Sequence, residues 1–231
     1  MKRNQSGFTL IEIAIVLVII GLLLGGVLKG QELINSAKVK NLAGDFKNIP
    51  VFIYGYQDKF KALPGDDAAV VAHVNGTLAT APASPAARGN GVIEGQWNST
   101  TPGDESVLFW QHVRLAGLAP GETTVNVAAG NTYIPTNAAG GKVGIQSGST
   151  TAPPVNDAAG NPIRGSYVIC SDGILGKFVK QLDITLDDGN YGTGSVLAVK
   201  GTYTFGGNAD NQTTDTPAFD EAATYTVCMG V

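Results

Sequence analysis

Read from its N-terminal end, the chain opens with Met1 and six polar or small residues and then turns abruptly apolar. From Phe8 to Leu28 the sequence is FTLIEIAIVLVIIGLLLGGVL, and its only charge is Glu12. At 1.5 Å per residue a helix over that stretch is about 31 Å long, matching the roughly 30 Å hydrocarbon core of a bilayer. The pattern then becomes amphipathic. Leu33, Ile34, Ala37, Leu42, Phe46, Ile49 and Ile53 recur at three- to five-residue steps, with Lys38, Lys40, Asp45 and Lys47 between them, so the helix is expected to continue over 29–62. Pro50 falls inside this pattern and predicts a kink or break. Tyr54, Tyr56 and Phe60 form an aromatic cluster expected to pack against a sheet, and Pro64-Gly65 ends the helix.

Residues 75–103 read as loop, with a low-complexity Ala/Pro/Ser run from Ala79 to Ala87. Asp104-Glu105 opens a second helix that places acids at its positive end and stops at Gly117. His112 on that helix reads as a partly buried packing residue rather than a general base. Beyond it the period shortens to two. Thr132–Ile134, Lys142–Gln146, Tyr167–Cys170, Ser195–Lys200 and Thr224–Cys228 are strand candidates bounded by Gly, Pro and Asn, and a short helix is expected over Ile174–Leu182.

Composition narrows the function. Hydrophobic residues make up 43% of the 231, enough for a core, which excludes global disorder. Charged residues are 15%, against about 25% in a typical soluble protein, and the formal charge is −4 with no basic tract. Nucleic-acid binding is therefore not inferred. Two histidines and two cysteines leave few ligands for zinc or haem. Gly89-Asn90-Gly91-Val92-Ile93-Glu94-Gly95 misses the dinucleotide pattern by one residue and follows no strand; neither a P-loop nor a nucleophile elbow occurs. Nothing singles out an enzyme.

The leader is more telling. Lys2 and Arg3 precede the apolar stretch, which predicts a cytoplasmic N-terminus and export of the rest. No small-residue cleavage site follows Leu28, so the segment reads as an anchor rather than a secretory signal. Gly7-Phe8-Thr9-Leu10-Ile11-Glu12 resembles the processing signature of type IV prepilins and type II secretion pseudopilins. The resemblance implies that a dedicated membrane peptidase cuts after Gly7 and methylates the new terminal Phe8. It further implies that Glu12 pairs with the Phe8 amine of a neighbouring subunit during assembly. A carboxylate in a membrane helix costs about 2.5–3.5 kcal/mol at the centre, which argues for such a role; the alternative is a solvated charge at headgroup level. Gly21, Gly25 and Gly26 suit close helix packing in the membrane, or local unwinding as subunits enter a filament. Leu63-Pro64-Gly65-Asp66-Asp67 also resembles a stretch found in one subgroup of bacterial prepilins.

Cys170 and Cys228 are the only cysteines, and an exported chain meets an oxidising compartment, so pairing is the default and two free thiols the alternative. Pilins often carry such a bridge near the C-terminus, around an exposed region. Asp183, Asp187 and Asp188 are weak calcium candidates, since some pseudopilins bind calcium in a C-terminal loop; Asp-Gly-Asn is otherwise ordinary turn chemistry, and no cofactor is expected.

The expected fold is α+β and pilin-like: leader 1–7, membrane or filament-core helix 8–28, amphipathic continuation 29–62, and a head over 63–231 with an antiparallel sheet on the helix. The expected function is a structural subunit of a type IV pilus-like filament. A minor pseudopilin of a type II secretion system is the alternative, and a membrane-anchored periplasmic enzyme a distant one. Implied partners are further copies of the chain, the prepilin peptidase/methyltransferase, the inner membrane and its assembly platform. The implied location is the bacterial inner membrane, then a periplasmic or extracellular filament.

Overall fold

A computed structural model of the chain describes residues 10–80, 88–128, 130–149, 152–157, 159–201 and 219–231. Eight elements follow in order: α1 (Leu10–Phe60), α2 (Val70–Val74), α3 (Glu105–Leu115), β1 (Val143–Ser147), β2 (Tyr167–Leu175), α4 (Gly176–Leu186), β3 (Val196–Lys200) and β4 (Thr224–Gly230). The chain divides into two units, 1–38 and 39–231.

In the first unit the described residues form helix alone. Every side chain from 10 to 29 is exposed, the aliphatic ones included, so this stretch has no core of its own.

The second unit draws on α1 only from Val39. Val39, Leu42, Ala43, Phe46, Ile49, Ile53 and Tyr56 form one buried stripe at three- and four-residue steps. The expected apolar face is corrected at its start, since Leu33 (63% exposed) and Ile34 (59%) lie ahead of that stripe. The expected break at Pro50 is also corrected: α1 runs through it. An interior proline costs about 3 kcal/mol, while full burial of each flanking Phe46, Ile49 and Ile53 side chain contributes about 1.5–3 kcal/mol. Burial wins. Tyr54 departs from the expected aromatic cluster, because it faces solvent at 57% exposure, whereas Tyr56 is buried with its ring tilted against Phe60, ring centres 4.7 Å apart.

The four strands form one antiparallel sheet in the order β1-β2-β4-β3. An irregularity between Ser171 and Ile174 shifts the register of β2 against β4, and β2 continues to Leu175 before α4 begins at Gly176. The helix there thus starts and ends later than the sequence pattern suggests. Thr132–Ile134 is not a strand; a single bridge between Thr136 and Lys142 is what the chain forms nearby.

Alternation along the strands sorts side chains to two faces. Ile145, Ile169, Val196, Ala198, Tyr225 and Val227 join the α1 stripe, α3 and α4 in the main core. Val168, Cys170, Leu197, Val199 and Cys228 point the other way, onto Trp97, Val155 and Ile163. The sheet is therefore covered on both sides, on one by helices and on the other by loop residues.

Candidate functional site

Gly7 and Phe8, the expected processing pair, lie outside the described residues. Glu12 lies in the first turn of α1 and is exposed, among Leu10, Ile11, Ile13 and Ile15, which are exposed too. The helix is unbroken across Gly21, Gly25 and Gly26, and a Cβ at any of the three would meet nothing within 4 Å. α1 is long and apolar enough to cross a membrane. Chemically, this surface is fit for lipid or for another apolar helix and for little else.

At the other end of the chain, Cys170 and Cys228 stand opposite each other on β2 and β4 and are joined, with Cα atoms 4.1 Å apart. Both are buried in the smaller cluster beneath Trp97. The staple is internal: it locks neighbouring strands from within.

The Leu63–Asp67 stretch proves more important than its length suggests. Gly65 adopts φ +94°, and a Cβ there would come within 2.5 Å of the Glu105 carbonyl, so glycine permits the turn to sit against α3. Its N–H donates to His112 Nδ1 at 2.9 Å, which leaves the ring proton on Nε2, 3.0 Å from the Thr77 carbonyl. His112 is fully buried, and burial pushes its pKa down. It is a neutral bridge between backbone segments, more deeply buried than the sequence suggested. Asp67, also buried, accepts from Tyr56 Oη and His73 Nδ1, each at 2.7 Å, and from the Ala69 N–H at 2.8 Å. Burial and this carboxylate push the Tyr56 hydroxyl well above its usual range.

Asp66 turns the other way, into a group the sequence did not reveal. It accepts the Gly89 N–H and the Gly91 N–H (2.7 Å), and one oxygen from each of Asp66, Glu94 and Glu105 lies within 4.8 Å of the others. Glu105 is completely buried at the start of α3; burial first, and the facing Glu94 carboxylate second, push it up to about 9. The glycine-rich stretch rejected as a dinucleotide loop thus serves as an amide cradle for a carboxylate. A sequence signal existed in the run Gly65-Asp66-Asp67, but nothing there indicated that both acids are buried.

The expected acidic turn does bring Asp183, Asp187 and Asp188 together, again within 4.8 Å. Asp187 Oδ2 accepts the Ser195 and Val196 N–H groups, while Asp188 accepts the Asn190 N–H on one oxygen and the Thr193 hydroxyl on the other. Asp183 is buried beneath them, and burial raises its carboxyl to about 6.

No curated protein and no solved structure matches the chain. Residues 2–28 match the model of the prokaryotic N-terminal methylation motif. Residues 2–28 therefore carry the prepilin-type motif of type IV pilins and pseudopilins, ahead of an α+β head with a pilin-like layout.

Proposed function

We propose that the chain is a structural subunit of a type IV pilus-like filament, cut after Gly7, methylated on Phe8 and assembled through its N-terminal helix. The observation that carries this reading is the coincidence of the methylation motif over 2–28 with a helix whose side chains from 10 to 29 are all exposed. Such a surface exposes a run of aliphatic residues to water, which a stable soluble protein avoids. It becomes favourable in a bilayer and again in a bundle of identical helices. The peptidase frees an amine on Phe8, and within the bundle this amine offsets the charge of Glu12 on a neighbouring copy. The leader charges Lys2 and Arg3 hold the N-terminus in the cytoplasm before cleavage.

The test combines processing and assembly. Mass spectrometry of assembled material should begin at methylated Phe8. Glu12→Ala should still insert and be cleaved, while filament yield falls by tenfold or more. An intact leader in the filaments, or wild-type yield from Glu12→Ala, refutes the assignment. Deleting the gene separates a pilus from a secretion pseudopilus. Loss of surface filaments with normal enzyme secretion supports the pilus, and loss of secreted hydrolases supports the pseudopilus.

A further inference from the structure

The three carboxylates at the start of α3 come from three separate stretches of chain. Asp66 sits in the turn after α1, Glu94 in the loop before α3, and Glu105 in the first turn of α3 itself. Their hydrogen bonds leave a specific remainder. Glu105 Oε2 accepts the Glu94 N–H at 2.9 Å, but its Oε1 is buried with no hydrogen-bond partner. Glu94 Oε1 accepts from Asn90 Nδ2 at 2.8 Å, while its Oε2 is likewise buried and unpartnered. Asp66 is 2% exposed and holds its two oxygens in place through the Gly89 and Gly91 amides. Among the described residues no lysine or arginine pairs with any of the three.

Two buried unpartnered oxygens beside a third carboxylate are costly to leave empty, because buried charge is tolerated only when it is paired or coordinates a metal. One proton shared between Glu94 and Glu105 is the arrangement open to the group without an ion, whereas a divalent cation would engage all three carboxylates at once. We propose that Asp66, Glu94 and Glu105 together bind a divalent cation, calcium, that ties the turn after α1 and the 88–95 loop to the first turn of α3. Oxygens that each lie about 2.4 Å from one ion are at most about 4.8 Å from one another, and the three here lie within that limit. The donor set is oxygen only. His112 has both ring nitrogens engaged and His73 is held by Asp67, which disfavours zinc or copper. Calcium suits ligands gathered irregularly from three segments better than magnesium, which demands near-ideal octahedral geometry. The group lies beside two surface clefts: Glu94 lines one of about 670 Å³, and Asp66 lines another of about 530 Å³. The group around Asp183 also holds buried oxygens without a hydrogen-bond partner, those of Asp183, but it differs in that Asp187 and Asp188 are exposed to water.

The experiment uses the full chain in detergent, stripped with EGTA and titrated with calcium chloride by calorimetry, with thermal unfolding in parallel. One site with Kd of about 10⁻⁴ M is expected, with Tm rising by about 5–10 °C at a hundred times Kd. Glu105→Gln and Glu94→Gln should each weaken binding at least tenfold and remove the calcium-dependent part of Tm. Without calcium, Glu105→Gln should melt close to the wild type, because the carboxyl it replaces is already uncharged at pH 7. Asp187→Asn should respond as the wild type does. Glu94 is only half-buried, so its variant carries the test should Glu105→Gln fail to fold. The proposal is overturned if the wild type shows neither heat nor Tm shift. It is also overturned if both glutamine variants respond normally, or if Asp187→Asn abolishes the response.

Discussion

The segment from Leu10 to Leu28 and the head beyond Val39 contain similar apolar residues and use them in opposite ways. In the first, every aliphatic side chain is exposed; in the second, Leu42, Phe46, Ile49 and Ile53 of the same helix are almost fully buried. Helix α1 thus has one secondary structure and two energetic regimes. The N-terminal stretch is stabilised by what surrounds it, lipid or neighbouring helices, and the later stretch by the chain's own sheet. Substitutions in one should leave the other unmoved.

The largest expected effect belongs to the exposed half. Val18→Arg replaces a favourable side chain near the middle of the apolar segment with one costing about 2.5–3.5 kcal/mol in a bilayer, so the equilibrium constant for membrane insertion should fall by about a hundredfold. Carbonate extraction measures this. Tm of the head should stay within about 1 °C, and a large drop would break the separation of the two regimes.

Cys170→Ser comes next. The bridge closes a separation of 58 residues, which in the chain-entropy model stabilises the head by about 4 kcal/mol. Because both sulfurs are buried, native protein should resist alkylation even after mild reductant, and non-reducing peptide maps should show one linked pair. Urea unfolding of the variant should show the loss, while insertion of the anchor continues. Ile53→Ala should cost the head about 3 kcal/mol through lost burial and the cavity left behind. A loss under 1 kcal/mol would mean that the α1 stripe contributes less than its burial implies.

Legibility in the sequence follows the same division. The anchor was readable because its signal is local: a basic leader, an apolar run and a short motif stand in fixed order. The strands were readable where a short apolar or alternating run stood between turn residues, as in Ser195–Lys200 and Thr224–Cys228. Pro50 and Leu33 misled because propensity and periodicity are blind to where the tertiary core begins. The Asp66, Glu94 and Glu105 group was invisible for a different reason. Its members are separated by loops, and acids usually mark a solvated surface, so only the folded arrangement shows them buried together. Asp183 had been singled out for its neighbours' turn chemistry, yet its own burial was equally hidden.

The smallest effect sharpens the picture of the head. His112 is buried and neutral, with Nδ1 accepting from Gly65 and Nε2 facing the Thr77 carbonyl. The groups around it are the Tyr56 ring, stacked at 6.3 Å, and the Asp67 carboxylate, whose charge favours the imidazolium but does not outweigh burial. Its folded pKa therefore lies below the unfolded value of about 6.5. Below that pH the unfolded chain binds a proton that the folded chain refuses, so stability is complete above about 6.5 and declines as pH falls through it. Protonation also turns Nδ1 from acceptor to donor and opposes the Gly65 N–H. Urea midpoints at pH 7.5 and 5.5 should thus differ in the wild type by more than in His112→Gln. The variant itself should be weaker at pH 7.5 by about 1–3 kcal/mol, the cost of disturbing two buried hydrogen bonds. Equal pH slopes in the two proteins would show that His112 takes up protons alike in the folded and unfolded chains, and that acid sensitivity of the head arises elsewhere.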